Sequence, residues 1–252
     1  MQKLSEQTCG RWAISIDLEG FEHLYDKEHL VLRSLGELME GIFRIGVQYY
    51  PESPDRIFAH QIGDGFIIVS DFPEATLDRP VAIALSLLRH VANSGRYAKA
   101  AIAEGEFADI QSCYPSCILN AAGSDKRIRL GAGIMTLFPV MGTALIRAIS
   151  VSKKCPSGPL LAVAAANRQR LPHGLIVHEA PSRDIIIVDW IHSVNELAKD
   201  IASKSHLNWP DTSTISEQLR EYCHTQPVKE EWKSSVHDYL EIPHQEEPLT
   251  TA

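Results

Sequence analysis

Two aspartates stand where a chain commonly offers ligands to a hard cation. Asp17 ends the apolar run of residues 11–16, and Asp64 lies between Gly63 and Gly65 in a turn that joins two further apolar runs. Mg²⁺ prefers carboxylate oxygens and leaves its remaining positions to substrate phosphates. If the fold brings the two carboxylates together, they suit phosphoryl-transfer chemistry assisted by two divalent ions.

Each aspartate also has an ordinary structural explanation. Asp17 can cap the helix that follows it, and Asp64 between two glycines can be plain turn chemistry. The intervening turn, Leu18-Glu19-Gly20-Phe21, leads into a helix, so its backbone N–H groups can hold a phosphate. Gly20 permits the close approach that a side chain would block.

The apolar patterns predict the elements that must position these groups. Alternating and β-branched runs indicate strands, and apolar residues at three and four spacing indicate amphipathic helices. The predicted order is a strand at 11–18, a helix at 21–47, strands at 56–62 and 66–70, a helix at 73–93 and a strand at 97–107. This βαββαβ order is ferredoxin-like, and it places the end of the first strand beside the tip of the hairpin.

The second half of the chain predicts further strands and then only helices. We expect a helix at 142–153, a strand at 159–163, a short helix at 163–170, paired strands at 175–178 and 184–188, and helices at 194–204, 215–224 and 231–240. Pro210, Pro227 and Pro243 separate the last helical pieces. We therefore predict a domain over 10–190, a helical appendage over 191–242 and a disordered tail over 243–252.

Composition restricts the class of protein. The 252 residues carry a formal net charge of -8, which argues against binding a nucleic-acid polymer but not a single nucleotide. The sequence shows no apolar run long enough to span a membrane and no apolar core of a signal peptide near Met1, so we expect a cytoplasmic protein. Cys113 and Cys117 lack a second ligand pair, and we interpret them as loop cysteines rather than a zinc site.

The two aspartate motifs resemble those of class III nucleotidyl cyclases, the adenylyl and guanylyl cyclase family. Residues 17–21 look like the family's Asp-hydrophobic-x-Gly-Phe motif, and residues 62–66 resemble its second metal motif. Residues 103–106 and 159–163 are similar to two later strands, so the likeness covers about 10–190. It implies an α+β, ferredoxin-like class III cyclase domain that binds two Mg²⁺ or Mn²⁺ ions. In that family the ions would be held by Asp17, Asp64 and Leu18, and the phosphates by Glu19, Gly20 and Phe21.

The resemblance also implies a transition-state helix. Family members carry an Asn and an Arg four residues apart, which places them on one helical face. Thr143 and Arg147 have that spacing here. Arg147 would stabilise the charge that develops on the phosphorane, whereas Thr143 departs from the usual Asn. The family builds its site across a homodimer, with the metal aspartates from one subunit and this helix from the other.

The base-reading positions depart further from the family. His60 falls near the place of the lysine or glutamate that reads a purine, and the partner position falls in the apolar segment 138–141. Tyr50 could fill the space that a smaller base leaves. A site with metal aspartates but without purine readers resembles the pyrimidine cyclases of bacterial anti-phage (Pycsar) signalling. That resemblance implies UTP, or else CTP, as the substrate and a cyclic nucleotide product read by a separate effector protein.

Three alternatives stay open at this stage. The chain can be an adenylate cyclase with an unusual base pocket, or a non-catalytic cyclase-like domain that binds a nucleotide, which the Thr143 substitution favours. A diguanylate cyclase relative is disfavoured, because its Gly-Gly-Asp/Glu-Glu-Phe hairpin is replaced here by Gly63-Asp64-Gly65.

Overall fold

The first half of the chain builds one sheet with two helices on it. Residues 10–19, 28–121 and 127–242 are described by this computed structural model. In chain order the first elements are β1 (Arg11–Leu18), α1 (Glu28–Arg44), β2 (Ile57–Ile62), β3 (Gly65–Ser70), α2 (Asp78–Ala92) and β4 (Ala98–Gly105). This order confirms the predicted βαββαβ unit. A π-helical turn, Ile45–Tyr49, follows α1 where the sequence predicted a continuous helix.

The remaining elements extend the sheet and then cover it. They are β5 (Ala108–Asp109), α3 (Ser116–Ala121), β6 (Arg127–Leu130), β7 (Gly133–Thr136), β8 (Val140–Met141), α4 (Thr143–Lys154), β9 (Leu161–Ala164), β10 (Val177–Glu179), β11 (Ile185–Val188), α5 (Glu196–Lys204), α6 (Thr212–Thr225) and α7 (Glu230–Leu240). The late strands and the three final helices confirm the prediction. The β6–β7 hairpin is a difference, since the sequence analysis predicts no strand between residues 107 and 142.

The main sheet has seven strands in the order β10-β11-β9-β4-β1-β3-β2. Its β4-β1-β3-β2 part is antiparallel throughout and has the strand order of a ferredoxin-like fold. β9 joins this part by pairing parallel to β4. β1 is therefore a central strand, whereas β2 lies at one edge.

The two faces of the sheet carry different side chains because successive residues of a strand point to opposite faces. On β1 the large residues Trp12, Ile14 and Ile16 are fully buried, and the Arg79 guanidinium of α2 lies 5.5 Å from the Trp12 ring. We call this side, which α1 and α2 cover, the two-helix face. The small residues Ala13 and Ser15 and the carboxylate of Asp17 point to the other side, where α4 packs on β1 and β4. We call that side the α4 face.

The C-terminal helices join the same hydrophobic core as the sheet. Asn195 and Asp211 begin α5 and α6, and their side chains accept hydrogen bonds from Ala198 N at 2.8 Å and Thr214 N at 2.7 Å. Such caps satisfy amides that have no partner within the helix. The buried apolar side chains of α6 and α7 are Ile215, Leu219, Trp232, Val236 and Leu240. The domain boundary at 190 stays a prediction, and the tail at 243–252 lies outside the described residues.

Among the described residues, no helix is both long and apolar enough to cross a membrane.

Candidate active site

The sheet places Asp17 and Asp64 at the same end of two paired strands. In the antiparallel register of β1 and β3, Asp17 faces Gly65, and Asp64 is the residue just before Gly65 in the β2–β3 turn. The Asp64 charge is close enough to raise the pKa of Asp17. The fold therefore brings together two carboxylates that are far apart in the sequence.

Gly65 allows this arrangement because its neighbours leave no room for a side chain. A Cβ atom at position 65 would lie 2.7 Å from the Ile16 carbonyl oxygen and 2.8 Å from the Asp17 Cβ. Gly63 on the other side of Asp64 has a φ of 63°, which favours glycine. Gly65 is thus required by the space around Asp17, and Gly63 is favoured by the backbone conformation of the turn.

The surroundings of the Asp17 side chain disfavour its charged form. Its Oδ1 atom is buried and meets no hydrogen-bond donor among the described residues. Burial, and after it the charge of Glu19, raises the Asp17 pKa from an ordinary 3.8 to about 7, while Lys99 opposes the shift. A buried carboxylate oxygen without a donor is costly, and a bound cation would satisfy it. These residues therefore fit a divalent metal ion.

Lys99 is a member of this group that the sequence analysis missed. It lies opposite Asp17 in the β1–β4 register, and its Nζ donates to the Cys155 carbonyl oxygen at 3.2 Å. Burial raises the pKa of the neighbouring Cys155 thiol to about 12, so this thiol stays protonated at neutral pH. The signal for Lys99 was the pairing register, which a single sequence does not contain.

The residues that follow Asp17 are only partly available to a ligand. Leu18 is buried, with 6% of its surface exposed, so only its backbone could face a metal ion. The Glu19 N–H donates to the Tyr97 carbonyl oxygen at 2.9 Å, so it is already used. Gly20 and Phe21 lie outside the described residues. If the turn binds phosphates, that role falls on residues 20 and 21 rather than on the Glu19 amide.

Thr143 and Arg147 both lie on the exposed side of α4, as their spacing predicts. The Thr143 Oγ1 atom accepts from the Glu106 N–H at 2.9 Å, and the Arg147 Nη1 atom donates to the Glu104 carbonyl oxygen at 3.0 Å. A Cβ atom at Gly105 would lie 2.4 Å from the Ala144 amide nitrogen, so glycine lets the helix begin directly on β4.

Within one chain these two residues are remote from Asp17. Glu104, which binds Arg147, lies opposite Trp12 near the start of β1, whereas Asp17 lies near its end. At about 3.4 Å per strand residue, the two levels of the sheet are roughly 17 Å apart. One chain therefore places the two aspartates at one end of β1 and the α4 residues Thr143 and Arg147 near the other.

The two residues predicted to read the base do not share a pocket. His60 lies on the α4 face, since it pairs with Ile67, which pairs with Ser15. Its ring centroid is 5.4 Å from that of Phe138 and 6.0 Å from that of Phe107.

Tyr50 lies on the opposite, two-helix face. The Arg79 guanidinium covers its ring at 4.8 Å, and burial raises the Tyr50 pKa. Tyr50 and His60 therefore do not lie in one pocket of a single chain, because the sheet separates the two side chains, and their role in reading a base stays a prediction.

A cavity of about 560 Å³ opens beside the start of α4, at the end of the sheet far from Asp17. Its walls include Arg11, Glu106, Phe107 and Met141, together with the backbone of Gly105. It therefore borders Thr143 and offers apolar walls with a few charged side chains. The sequence analysis did not predict this cavity, because its lining comes from four separate segments.

A second group of metal-ligating side chains also went unnoticed in the sequence. Asp189, His192 and Glu241 present atoms within 4.8 Å of one another. The Asp189 Oδ1 atom accepts from the amides of Ile191 at 2.9 Å and His192 at 3.0 Å, and Oδ2 lies 2.7 Å from His192 Nδ1. Both carboxylate oxygens therefore already have partners, which is typical of a structural turn.

Comparisons with known proteins give little sequence information. No protein-family model matches the chain, and no curated protein matches it. Two solved structures of a bacterial light-regulated adenylyl cyclase align with 84% of this chain at 14% identity, with TM-scores of 0.42 and 0.43. The chain spans 57% and 56% of their lengths. At this identity and TM-score, the likeness establishes neither a family nor a function.

Proposed function

We propose that this chain is a nucleotidyl cyclase, which converts a nucleoside triphosphate into a 3′,5′-cyclic monophosphate and pyrophosphate. The observation that carries the proposal is the Asp17 carboxylate. This carboxylate lies beside Asp64, and its Oδ1 atom is buried and meets no hydrogen-bond donor among the described residues. It stands at the position where the sequence resembles the first metal motif of class III cyclases. Evidence for the motif and evidence for the fit to a cation are independent of each other.

Asp17 and Asp64, with the backbone of Leu18, would hold two Mg²⁺ or Mn²⁺ ions. Such ions activate an attacking hydroxyl and neutralise charge on the phosphates. Residues 20 and 21 would bind the phosphates through backbone amides. Arg147 would stabilise the negative charge that develops as the 3′-oxygen attacks the α-phosphate and pyrophosphate leaves, and Thr143 would orient the ribose.

The proposed site needs two copies of the chain. Arg147 binds Glu104 at the end of β1 opposite Asp17, so each complete site would take its carboxylates from one copy and its α4 residues from the other. Mixing inactive Asp17→Asn protein with inactive Arg147→Ala protein tests this. Subunit exchange should restore about a quarter of wild-type activity, because half of the dimers then carry one intact site. Persistent inactivity of the mixture, with exchange shown by native mass spectrometry, would count against the shared site.

For the substrate we propose a pyrimidine nucleotide, UTP before CTP. The support is the absence of purine readers where the family carries them: His60 packs against Phe107 and Phe138, and the segment 138–141 offers apolar side chains. In this proposal the cyclic nucleotide is a second messenger of anti-phage defence, read by a separate effector. Adenylate cyclase activity is the alternative within the same reaction class.

A non-catalytic nucleotide-binding domain is the second candidate function. It is favoured by one observation, that the Thr143 hydroxyl and the Arg147 guanidinium both already bind their own chain. Two adjacent metal carboxylates weigh against it, since binding without turnover does not require both.

Incubation with ATP, GTP, CTP and UTP in separate reactions with Mn²⁺, followed by mass spectrometry, tests these alternatives. We expect a cyclic monophosphate from UTP or CTP and none from the Asp64→Ala variant. Product from ATP alone would replace the pyrimidine assignment. Tight binding of a nucleotide without any product would favour the non-catalytic domain. Near-normal turnover by Asp64→Ala would overturn the metal assignment.

A further inference from the structure

The carboxylate of Glu19, two residues beyond Asp17, is held by donors from two distant parts of the chain. Its Oε2 atom accepts from the Trp232 Nε1–H of α7 at 3.0 Å and from the Gly158 N–H at 3.2 Å. The backbone N–H of the same residue donates to the Tyr97 carbonyl oxygen at 2.9 Å. These contacts hold both the carboxylate and the backbone of Glu19 at the point where the chain leaves β1.

Trp232 is itself held firmly enough to act as a fixed donor. Its side chain is buried, and its ring centroid lies 6.4 Å from that of Tyr97 and 5.5 Å from that of Tyr222. α7 also lies directly on the Gly158 turn, because a Cβ atom at Gly158 would lie 3.3 Å from the Ser235 Cβ and 3.7 Å from the Trp232 carbonyl oxygen. The indole N–H and the Gly158 amide therefore reach Glu19 from one packed unit.

We propose that Trp232 is a positioning residue for the Asp17 metal site, and that the C-terminal helices act on this site through Glu19. This inference rests on the proposed function. Glu19 directly follows Leu18, whose backbone would hold the cation together with Asp17. By holding Glu19, Trp232 fixes the backbone at the point where it leaves these two residues.

The expected loss of metal affinity follows from the known effect of residues that contact metal ligands without binding the metal themselves. Removing a residue that orients a ligand typically weakens metal affinity by about 10- to 100-fold. Because Glu19 is not proposed as a ligand itself, we expect the lower end of this range, about tenfold.

The test uses the full chain without nucleotide and measures Mn²⁺ affinity from the electron paramagnetic resonance signal of free Mn²⁺. Trp232→Phe keeps an aromatic ring but removes the N–H donor. We expect its Mn²⁺ dissociation constant to rise about tenfold and hydrogen exchange at the Glu19 amide to accelerate. Tyr222→Phe is the matched control, since it keeps the ring that packs on Trp232 and loses only a hydroxyl that accepts from Arg96. It should leave both measurements unchanged.

The same substitution in a Glu19→Met variant distinguishes the positioning of Glu19 by Trp232 from a general loosening of α7. In the Glu19→Met background the acceptor is gone, so adding Trp232→Phe should have no further effect on Mn²⁺ affinity. An unchanged Mn²⁺ affinity in Trp232→Phe, or an equal loss with and without Glu19, would overturn the proposal. Faster exchange confined to α6 and α7 would overturn it too, because that result indicates packing alone.

The outcome is distinguishable from failure of the proposed function. If wild-type protein binds Mn²⁺ in an Asp17-dependent manner but cyclises no nucleotide, the cyclase proposal fails, and the Trp232 effect on Mn²⁺ affinity still decides the positioning role. If wild-type protein shows no Asp17-dependent Mn²⁺ binding, the positioning role is overturned with the metal site.

Discussion

Asp17 and Asp189 both end or follow a buried strand of the same sheet, yet their surroundings differ. Asp189 is fully buried, and its two oxygens meet two backbone amides and the His192 ring. The Asp17 Oδ1 atom is buried and meets no donor among the described residues, and the negative charges of Glu19 and Asp64 lie near it. Within the described part of the chain, one carboxylate thus has hydrogen-bond partners for both oxygens, whereas the other has a buried oxygen without one.

The difference separates a structural carboxylate from one kept for a ligand. A buried carboxylate that accepts several hydrogen bonds stabilises the turn around it. One without donors costs folding free energy until something outside the chain binds it. Both residues belong to acidic groups that look suitable for a metal ion. They differ in whether hydrogen-bond donors reach their carboxylate oxygens.

The largest expected effect is on metal binding. Asp17→Asn removes the charge that a cation would neutralise, so Mn²⁺ affinity should fall by on the order of 100-fold or more, beyond the loss usual for an outer contact. Asp189→Asn, the matched control, should leave the affinity unchanged. Titration of both variants with Mn²⁺ measures this. Loss of Mn²⁺ binding in Asp189→Asn, together with normal binding in Asp17→Asn, would contradict this distinction between the two carboxylates.

A second effect is on the pH dependence of folding in the presence of a chelator. The folded-state pKa of Asp17, about 7, lies above its ordinary 3.8, so the folded protein binds this proton more tightly than the unfolded chain does. The free energy of unfolding should therefore fall as pH rises from about 4 to 7 and then level off. A pKa difference of this size corresponds to about 4 kcal/mol at most.

The measurement compares wild type with Asp17→Asn by urea unfolding at several pH values, because the difference isolates this one group. Asp17→Asn should match wild type in slope below about pH 4 and become the more stable protein above pH 7. A difference that does not change between pH 4 and 8 would show that Asp17 has an ordinary pKa in the folded protein.

The smallest of the three effects is on the structural carboxylate. Asp189→Asn keeps an acceptor oxygen but loses the charge that faces His192, so the free energy of unfolding should fall by about 1 to 3 kcal/mol. Asp184→Asn, which alters an exposed aspartate paired with Lys154 at 2.6 Å, is the control and should change stability very little. Equal effects of the two substitutions would contradict the structural role of Asp189.

Local patterns were sufficient to predict the framework and to single out the two aspartates as candidate metal ligands. Alternation and helical spacing predicted β1 to β4, α2 and the final helices, and Asp17 and Asp64 stood out because each follows a strong apolar run or turn. Their proximity followed from the βαββαβ order. These inferences need only short-range sequence information and one topological rule.

Other features depend on pairings that are distant in sequence. Lys99 joins Asp17 through strand register, and Glu19 meets Trp232 from the far end of the chain. The face of the sheet on which Tyr50 lies could not be predicted, because a residue after a helix carries no periodic pattern that shows which side it will cover. The β6–β7 hairpin was missed because Arg127 and Arg129 make its first strand look like a polar loop.

The strand order places His60 on a less buried strand than Asp17. β2 is an edge strand whose side chains are half-buried or exposed, whereas β1 and β3 are flanked on both sides and largely buried. Substitutions on β2 therefore disturb folding less than substitutions beside Asp17. Such a sheet can therefore accept new residues along its margin with little disturbance of Asp17 on the central strand β1, so a different ligand preference does not require a rebuilt domain.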